Sequence, residues 1–222
     1  KTGQRPYVGD RGFAGICERP PAKPVIAAVE GYCLAGGFEI ALSCDLIVAA
    51  DSANFGLPEV KRGIVPGSGG MVRLPSRIPY HMAMEMVLTG GMYPAARMAE
   101  LGLVSRLAEA GKATEQALAL AESGYRPPLP ARAIPVAGDV GIATFRMMLE
   151  NMIEGRFISE HDYEVSKRIA TVMCGGDVDR GALVDEDWLL RLEREHFVAL
   201  AQMPKTQERI AHMLKTGKPL RN

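Results

Sequence analysis

Two short apolar runs, Val25-Ile26-Ala27-Ala28-Val29 and Leu46-Ile47-Val48-Ala49-Ala50, stand on either side of a glycine pair, Gly36-Gly37, and a helix-favouring stretch, Phe38-Glu39-Ile40-Ala41-Leu42. Neither run alternates polar with apolar residues, which is the pattern of a strand covered on both faces in a parallel sheet. Parallel neighbours need a crossover connection, and a glycine turn opening into a helix supplies one. Strand, turn, helix, strand is therefore a βαβ unit, and it makes the first half of the chain the sheet-bearing half.

Around this unit the punctuation is dense. Residues 1–24 are rich in Gly, Pro and Arg and read as a loop with one short helix. Phe55-Gly56-Leu57-Pro58-Glu59 reads as a connection broken by Gly and Pro, and Pro66-Gly67-Ser68-Gly69-Gly70 as a second flexible turn. Residues 82–88 and 94–101 have helical character. Beyond Pro127 strand-like runs become scarce, and amphipathic stretches over 145–154, 161–173 and 184–203 predict helices. The Pro-rich segment Arg126-Pro127-Pro128-Leu129-Pro130 is the best linker candidate, because proline denies both helix continuation and sheet donors. The expected division is 1–125 as the sheet-bearing core and 126–222 as a helical region.

The 26 basic and 26 acidic residues give zero formal net charge, so no global field is available to hold nucleic acid or an anionic membrane. Any anionic ligand would be met by local groups. The apolar runs fall far short of the roughly 20 residues that span a bilayer. Four scattered cysteines, Cys17, Cys33, Cys44 and Cys174, form no CxxC pair and have no histidine at metal-ligand spacing. Reduced thiols, a cytoplasmic setting and no bound metal are the expectation. Lys1–Asp10 has no apolar stretch of the signal-peptide kind and no initiator Met, so we expect further chain upstream.

Three residues carry candidate chemistry, and each has two readings. Glycine at a helix start lets backbone approach a ligand, and the Gly36 amide has no partner within its own helix, so it could receive an anion. A tight strand-to-helix turn would ask for the same glycine. Glu39 lies three residues on, near the face of Gly36, as either an acid/base group or a capping-box glutamate. Glu59 follows the Pro58 bend among Phe55, Gly56 and Leu57, where burial would raise its pKa, yet Lys61 and Arg62 stand close enough in sequence for a surface ion pair.

The ordered string decides more than its parts. Lys23-Pro24-Val25-Ile26-Ala27-Ala28-Val29-Glu30-Gly31, Ala35-Gly36-Gly37-Phe38-Glu39, Cys44-Asp45 and Phe55-Gly56-Leu57-Pro58-Glu59 resemble the enoyl-CoA hydratase/isomerase (crotonase) family. The likeness continues through Ile64-Val65-Pro66-Gly67-Ser68-Gly69-Gly70, Arg73-Leu74, Leu88-Thr89-Gly90 and Gly102-Leu103-Val104, and covers about residues 10–105. It implies an α/β crotonase-like (ClpP/crotonase) ββα spiral core followed by a C-terminal helical region.

The same resemblance puts Gly36 on one of the family's two oxyanion-hole amides and Glu39 and Glu59 on the paired glutamates of its hydratases. It puts Gly67 on a backbone amide that helps place the reacting water. The implied reaction is syn addition of water to a trans-2-enoyl-CoA, in fatty-acid β-oxidation or related catabolism. The coenzyme A thioester would be substrate, with no metal or redox cofactor. Within the family a Δ3,Δ2-enoyl-CoA isomerase, since one glutamate can shuttle a proton, or another crotonase activity is the alternative; outside catalysis, a non-catalytic crotonase-like assembly subunit is. The family's homotrimers and dimers of trimers are the implied assembly.

Two departures accompany the likeness. The family's second oxyanion amide belongs to a small-residue segment expected upstream of Lys1. From about residue 125 the chain instead resembles the C-terminal end of bacterial fused 3-hydroxyacyl-CoA dehydrogenase/hydratase proteins, so a seam near 120–126 is expected. His161-Asp162 reads as a solvated or capping pair, because adjacent residues diverge on a helix. The stripe Trp188, Leu189, Leu192 and Phe197 reads as core or subunit interface.

Overall fold

The computed structural model of the protein describes residues 6–126 and 132–222; most of the Pro-rich linker candidate, residues 127–130, lies outside them. Strands β1 (Ile26–Val29) and β3 (Leu46–Ala50) pair in parallel with Ile26 opposite Leu46, and β6 (Arg106–Ala108) joins β3 on its other side. Between β1 and β3 the chain makes β2 (Tyr32–Leu34) and α1 (Gly36–Leu42). β2 belongs to a second sheet, where it pairs in parallel with β4 (Asn54–Gly56), and β4 pairs antiparallel with β5 (Met92–Pro94). The first two passes of the chain each lay one strand in each sheet before a helical segment, a ββα repeat rather than a simple βαβ unit, whereas the third places α4 between β5 and β6.

Two readings of the strands change accordingly. The expected connection at Phe55–Glu59 opens as β4 and closes as a 3-10 turn over Pro58–Arg62. Three-residue strands are too short for a hydropathy period to mark them. The run expected to be covered on both faces is covered only in β3: Ile47 and Ala49 enter the main core while Val48 faces Ala113, Ala117 and Leu120. In β1, an outer strand of its three-stranded sheet, Ala28 is exposed and its neighbours are half-buried.

Helix α5 (Ala113–Ala121) covers the outer face of the first sheet, and its start is held by Glu30, which accepts from the Gly111 and Ala113 amides at 2.7 and 2.8 Å. Such acceptors replace the partners that the first-turn amides lack. Beyond β4 come α2 (Gly70–Arg77), α3 (Tyr80–Thr89) and α4 (Ala95–Glu100), the last two close to the predicted spans.

The second half is helical as expected: α6 (Gly138–Glu154), α7 (Glu160–Met173), α8 (Glu186–Ala201) and α9 (Pro204–Thr216), with one short hairpin of β7 (Ile134–Pro135) and β8 (Leu183–Val184). Val165, Ile169 and Val172 of α7 and Leu200 of α8 share one hydrophobic cluster with Phe38, Leu42, Phe55, Leu57 and Leu74. At roughly 1.5–3 kcal/mol for each fully buried large apolar side chain, this shared cluster is what docks the helices onto the sheets. Asp162 closes a capping box with Ser159 and accepts from Arg209 at 2.8 Å, so it is the capping residue of the two readings. His161 is buried instead of solvated, with Nε2 2.9 Å from Thr206 Oγ1. Of the apolar stripe on α8, Leu189 is buried and Leu192 and Phe197 pack against the main cluster, whereas Trp188 stays partly exposed and donates its indole N–H to Gly175 O. No helix among the described residues is long and apolar enough to cross a membrane.

Candidate active site

Gly36 begins α1, and its glycine identity has a direct steric cause. A Cβ at position 36 would stand 2.7 Å from Phe13 Cζ, closer than side-chain carbons approach one another. The residue before it, Ala35, holds φ 51° and ψ −129° without being glycine, a strained conformation costing on the order of 1–3 kcal/mol. Its amide donates to Gly56 O at 3.0 Å, which ties the turn to β4. Among the described residues no acceptor engages the Gly36 or Gly37 amide, so two donors are presented at a helix start, the end that favours negative charge.

Glu39 occupies the first turn of the same helix and is buried. It caps nothing there: Oε1 reaches across to the next glycine turn and accepts from the Ser68 and Gly70 amides at 2.7 and 3.0 Å. Burial raises its pKa, and those amides, the nearby Arg73 and the Gly67 amide all oppose the rise. The four expected residues therefore fall into two places. Gly67 is brought to the Glu39 carboxylate, and Gly36 lies one turn before Glu39 on α1. Gly67 is also covered, since a Cβ there would meet Phe197 Cγ at 2.6 Å.

Among the described residues Glu59 makes no ion pair. Arg62 turns back to donate to Pro58 O at 3.0 Å, and Glu59 Oε2 is buried with no hydrogen-bond partner among the described residues. Burial first and then the charge of Glu39 push its pKa up to about 8. A buried carboxyl with one unpartnered oxygen and a proton affinity near neutrality can give or take a proton within the physiological range. Because the Glu39 charge acts on it, the two glutamates share one electrostatic environment.

A third carboxylate completes the group. Glu193 of α8 is fully buried, accepts from the Gly69 amide, and accepts from the Met71 amide at 2.7 Å. Its spacing from Leu189, Leu190, Phe197 and Leu200 sets it on the apolar side of the helix, and a lone acid interrupting a buried stripe is the one mark it leaves in the sequence. Arg73, also buried, pairs through Nε with Glu186 at 2.6 Å and donates to Ser43 Oγ at 2.9 Å. A cleft of about 260 Å³ is lined by Arg73, Glu186, Tyr80, Ile134 and Met173, and not by Glu39 or Glu59. No cluster of metal-ligating side chains occurs among the described residues.

Comparison with known proteins places this geometry in context. The sequence profile of the enoyl-CoA hydratase/isomerase family matches residues 19–134. A probable 3-hydroxyacyl-CoA dehydrogenase of Bacillus subtilis is 36% identical over 219 residues, which is 90% of this chain and 28% of that protein. A carnitinyl-CoA dehydratase of Salmonella typhi is 48% identical over 115 residues, covering 51% of this chain and 44% of that one. The chain thus spans less than half the length of these curated relatives. Among solved structures, a carnitinyl-CoA hydratase from Mycobacterium avium superposes with a TM-score of 0.63 at 31% identity, over 98% of this chain and 69% of that one.

Proposed function

Since the chain belongs to the enoyl-CoA hydratase/isomerase family and has its crotonase fold with a helical C-terminal region, we propose that it hydrates trans-2-enoyl-CoA thioesters, with Glu39 and Glu59 as the acid/base pair. The observation that carries this reading is Glu59: a buried carboxyl oxygen with no partner, beside a second buried carboxylate. A structural glutamate in such a place would be expected to have found a donor.

In this reading the Gly36 amide donates to the thioester oxygen as negative charge grows there. Glu39, ionised and held by the Ser68 and Gly70 amides, takes a proton from water as its oxygen bonds to Cβ. Glu59, protonated near neutral pH, gives its proton to Cα. One proton is taken and one given, so the pair must exchange protons with solvent before the next turnover. By microscopic reversibility the same groups serve dehydration, the direction in the names of several relatives. No step in this reading uses a metal or redox group.

Two carboxylates favour water addition over the one-carboxylate proton shuttle of an isomerase. Presenting 2-enoyl and 3-enoyl thioesters in parallel tests the choice: hydroxyacyl product from the 2-enoyl substrate supports hydration, and interconversion of the two without water uptake overturns it. A division near residue 125 and self-association through the C-terminal helices remain parts of the proposal. Met147, Met148 and Phe157 are exposed on or next to α6 for such contact, and sedimentation of the intact protein reads the assembly directly.

A further inference from the structure

Consecutive backbone amides at the start of α2 are divided alternately between two buried carboxylates. Ser68 and Gly70 donate to Glu39, while Gly69 and Met71 donate to Glu193. Gly69 makes the alternation possible by holding φ at 104°, a left-handed conformation that turns its amide away from those of its neighbours. Glu193 reaches this site from 122 residues further along the chain than Met71, so α8 is anchored on the loop that holds Glu39.

The positive groups present do not balance two full negative charges. A helix start offers the equivalent of about half an elementary charge. The Arg73 guanidinium is already paired with Glu186. Among the described residues, the other titratable groups that bear on this cluster are Cys17 from the N-terminal segment and Glu59 from the 3-10 turn, and neither adds positive charge. Arg77 faces Cys44 O, and Arg194 pairs with Glu18.

We propose that Glu193 is a positioning residue for Glu39: it fixes the Gly69 and Met71 amides so that those of Ser68 and Gly70 stay aimed at Glu39, and the two carboxylates act as one unit through the shared helix start. This rests on reading Glu39 as the group that activates water. Burial, and next the charge of Glu39, raise the proton affinity of Glu193, and coupling of this kind is reciprocal. The titrations of the two carboxylates are therefore linked, and in this role Glu193 acts through Glu39 without touching substrate.

Carbon NMR of protein labelled at the glutamate side-chain carboxyl tests this, with signals assigned from the Glu39→Gln, Glu59→Gln and Glu193→Gln variants. In the unsubstituted protein the Glu39 signal should report two protonation steps separated by at least about one pH unit, the threshold for a coupled pair. In Glu193→Gln the step owed to Glu193 should vanish, leaving only the smaller influence of Glu59, which Glu59→Gln in the same chain removes, and in Glu39→Gln the Glu193 signal should lose its second step. A single step for Glu39 in the unsubstituted protein overturns the proposal whether or not either variant folds. In hydration assays Glu193→Gln should lower kcat by about tenfold with little change in KM, and should cost nothing further once Glu39→Gln is present. An equal loss in both backgrounds also overturns it. If the unsubstituted protein hydrates no enoyl thioester, the proposed function falls, while the titration still decides the coupling.

Discussion

The ring of Phe13 lies so close to Gly36 that a single added methyl group would collide with it: the Cβ of an alanine would stand 2.7 Å from Cζ and 2.8 Å from Cε1. Phe13 belongs to the N-terminal segment, and through this contact its ring closes over the turn that presents the Gly36 and Gly37 amides. Gly36→Ala should therefore destabilise the fold by about 1–3 kcal/mol, as overpacking does. Phe13→Ala in the same chain should recover part of that loss. Denaturant unfolding of the two single variants and the double variant measures the coupling, and strictly additive effects would refute the contact.

The acid/base assignment is tested at the two glutamates. Glu39→Gln and Glu59→Gln keep the side-chain volume and remove the titrating group. Each should lower kcat for enoyl thioester hydration by about 10²–10⁴, the range of a positioned acid or base. Circular dichroism should show both variants folded. Unchanged hydration in either would remove that residue from the mechanism.

Glu59 also ties stability to pH. Its pKa is raised to about 8 in the folded protein from an ordinary 4.5, so between those values the folded state binds more protons than the unfolded one. Stability then falls as pH rises through that window, and the loss is complete above pH 8. Glu39 and Glu193, also raised, act in the same sense. We expect Glu59→Gln to gain stability relative to the unsubstituted protein as pH goes from 5 to 8, read as a growing difference in Tm. A constant difference across the range would contradict the burial of this carboxyl.

At Asp162 the sign is opposite. Burial alone would raise the Asp162 pKa, but the Ser159 amide and Arg209 hold it below the ordinary value. Arg209 is itself buried and also bonds Asn222 Oδ1 at 2.8 Å, which ties the chain end to α7. Arg209→Met should cost about 1.5–3 kcal/mol, the usual worth of hydrogen bonds to a charged group, and the loss should shrink below the Asp162 titration. Thermal melts at neutral and strongly acid pH make the comparison.

How much of this was legible in the sequence differs from residue to residue. The helices α6, α7 and α8 announce themselves because an amphipathic stripe repeats over several turns. β2 and β4 do not, because three residues carry no period. The turn at Gly36 and the two glutamates were each ambiguous alone: a capping box and a catalytic acid have the same spacing, and a surface pair and a buried acid have the same neighbours. Order along the chain, matched to a family, separated the readings of Glu39 and Glu59 from the bland ones but gave no geometry.

By itself, then, the sequence determined the alternation of apolar runs and glycine turns, and hence the α/β class, the family and the helical second half. These depend on local periodicity and on motifs in a fixed order, both of which are properties of a string. Only the tertiary structure decided that Glu39 spans to the amides of Ser68 and Gly70, that one carboxyl oxygen of Glu59 is left without a partner among the described residues, and that Glu193 arrives from α8 to take the amides in between. Those facts depend on which helix start faces which carboxylate once the water is excluded. Desolvation and charge–charge coupling act over a few ångströms in space and take no account of separation along the chain.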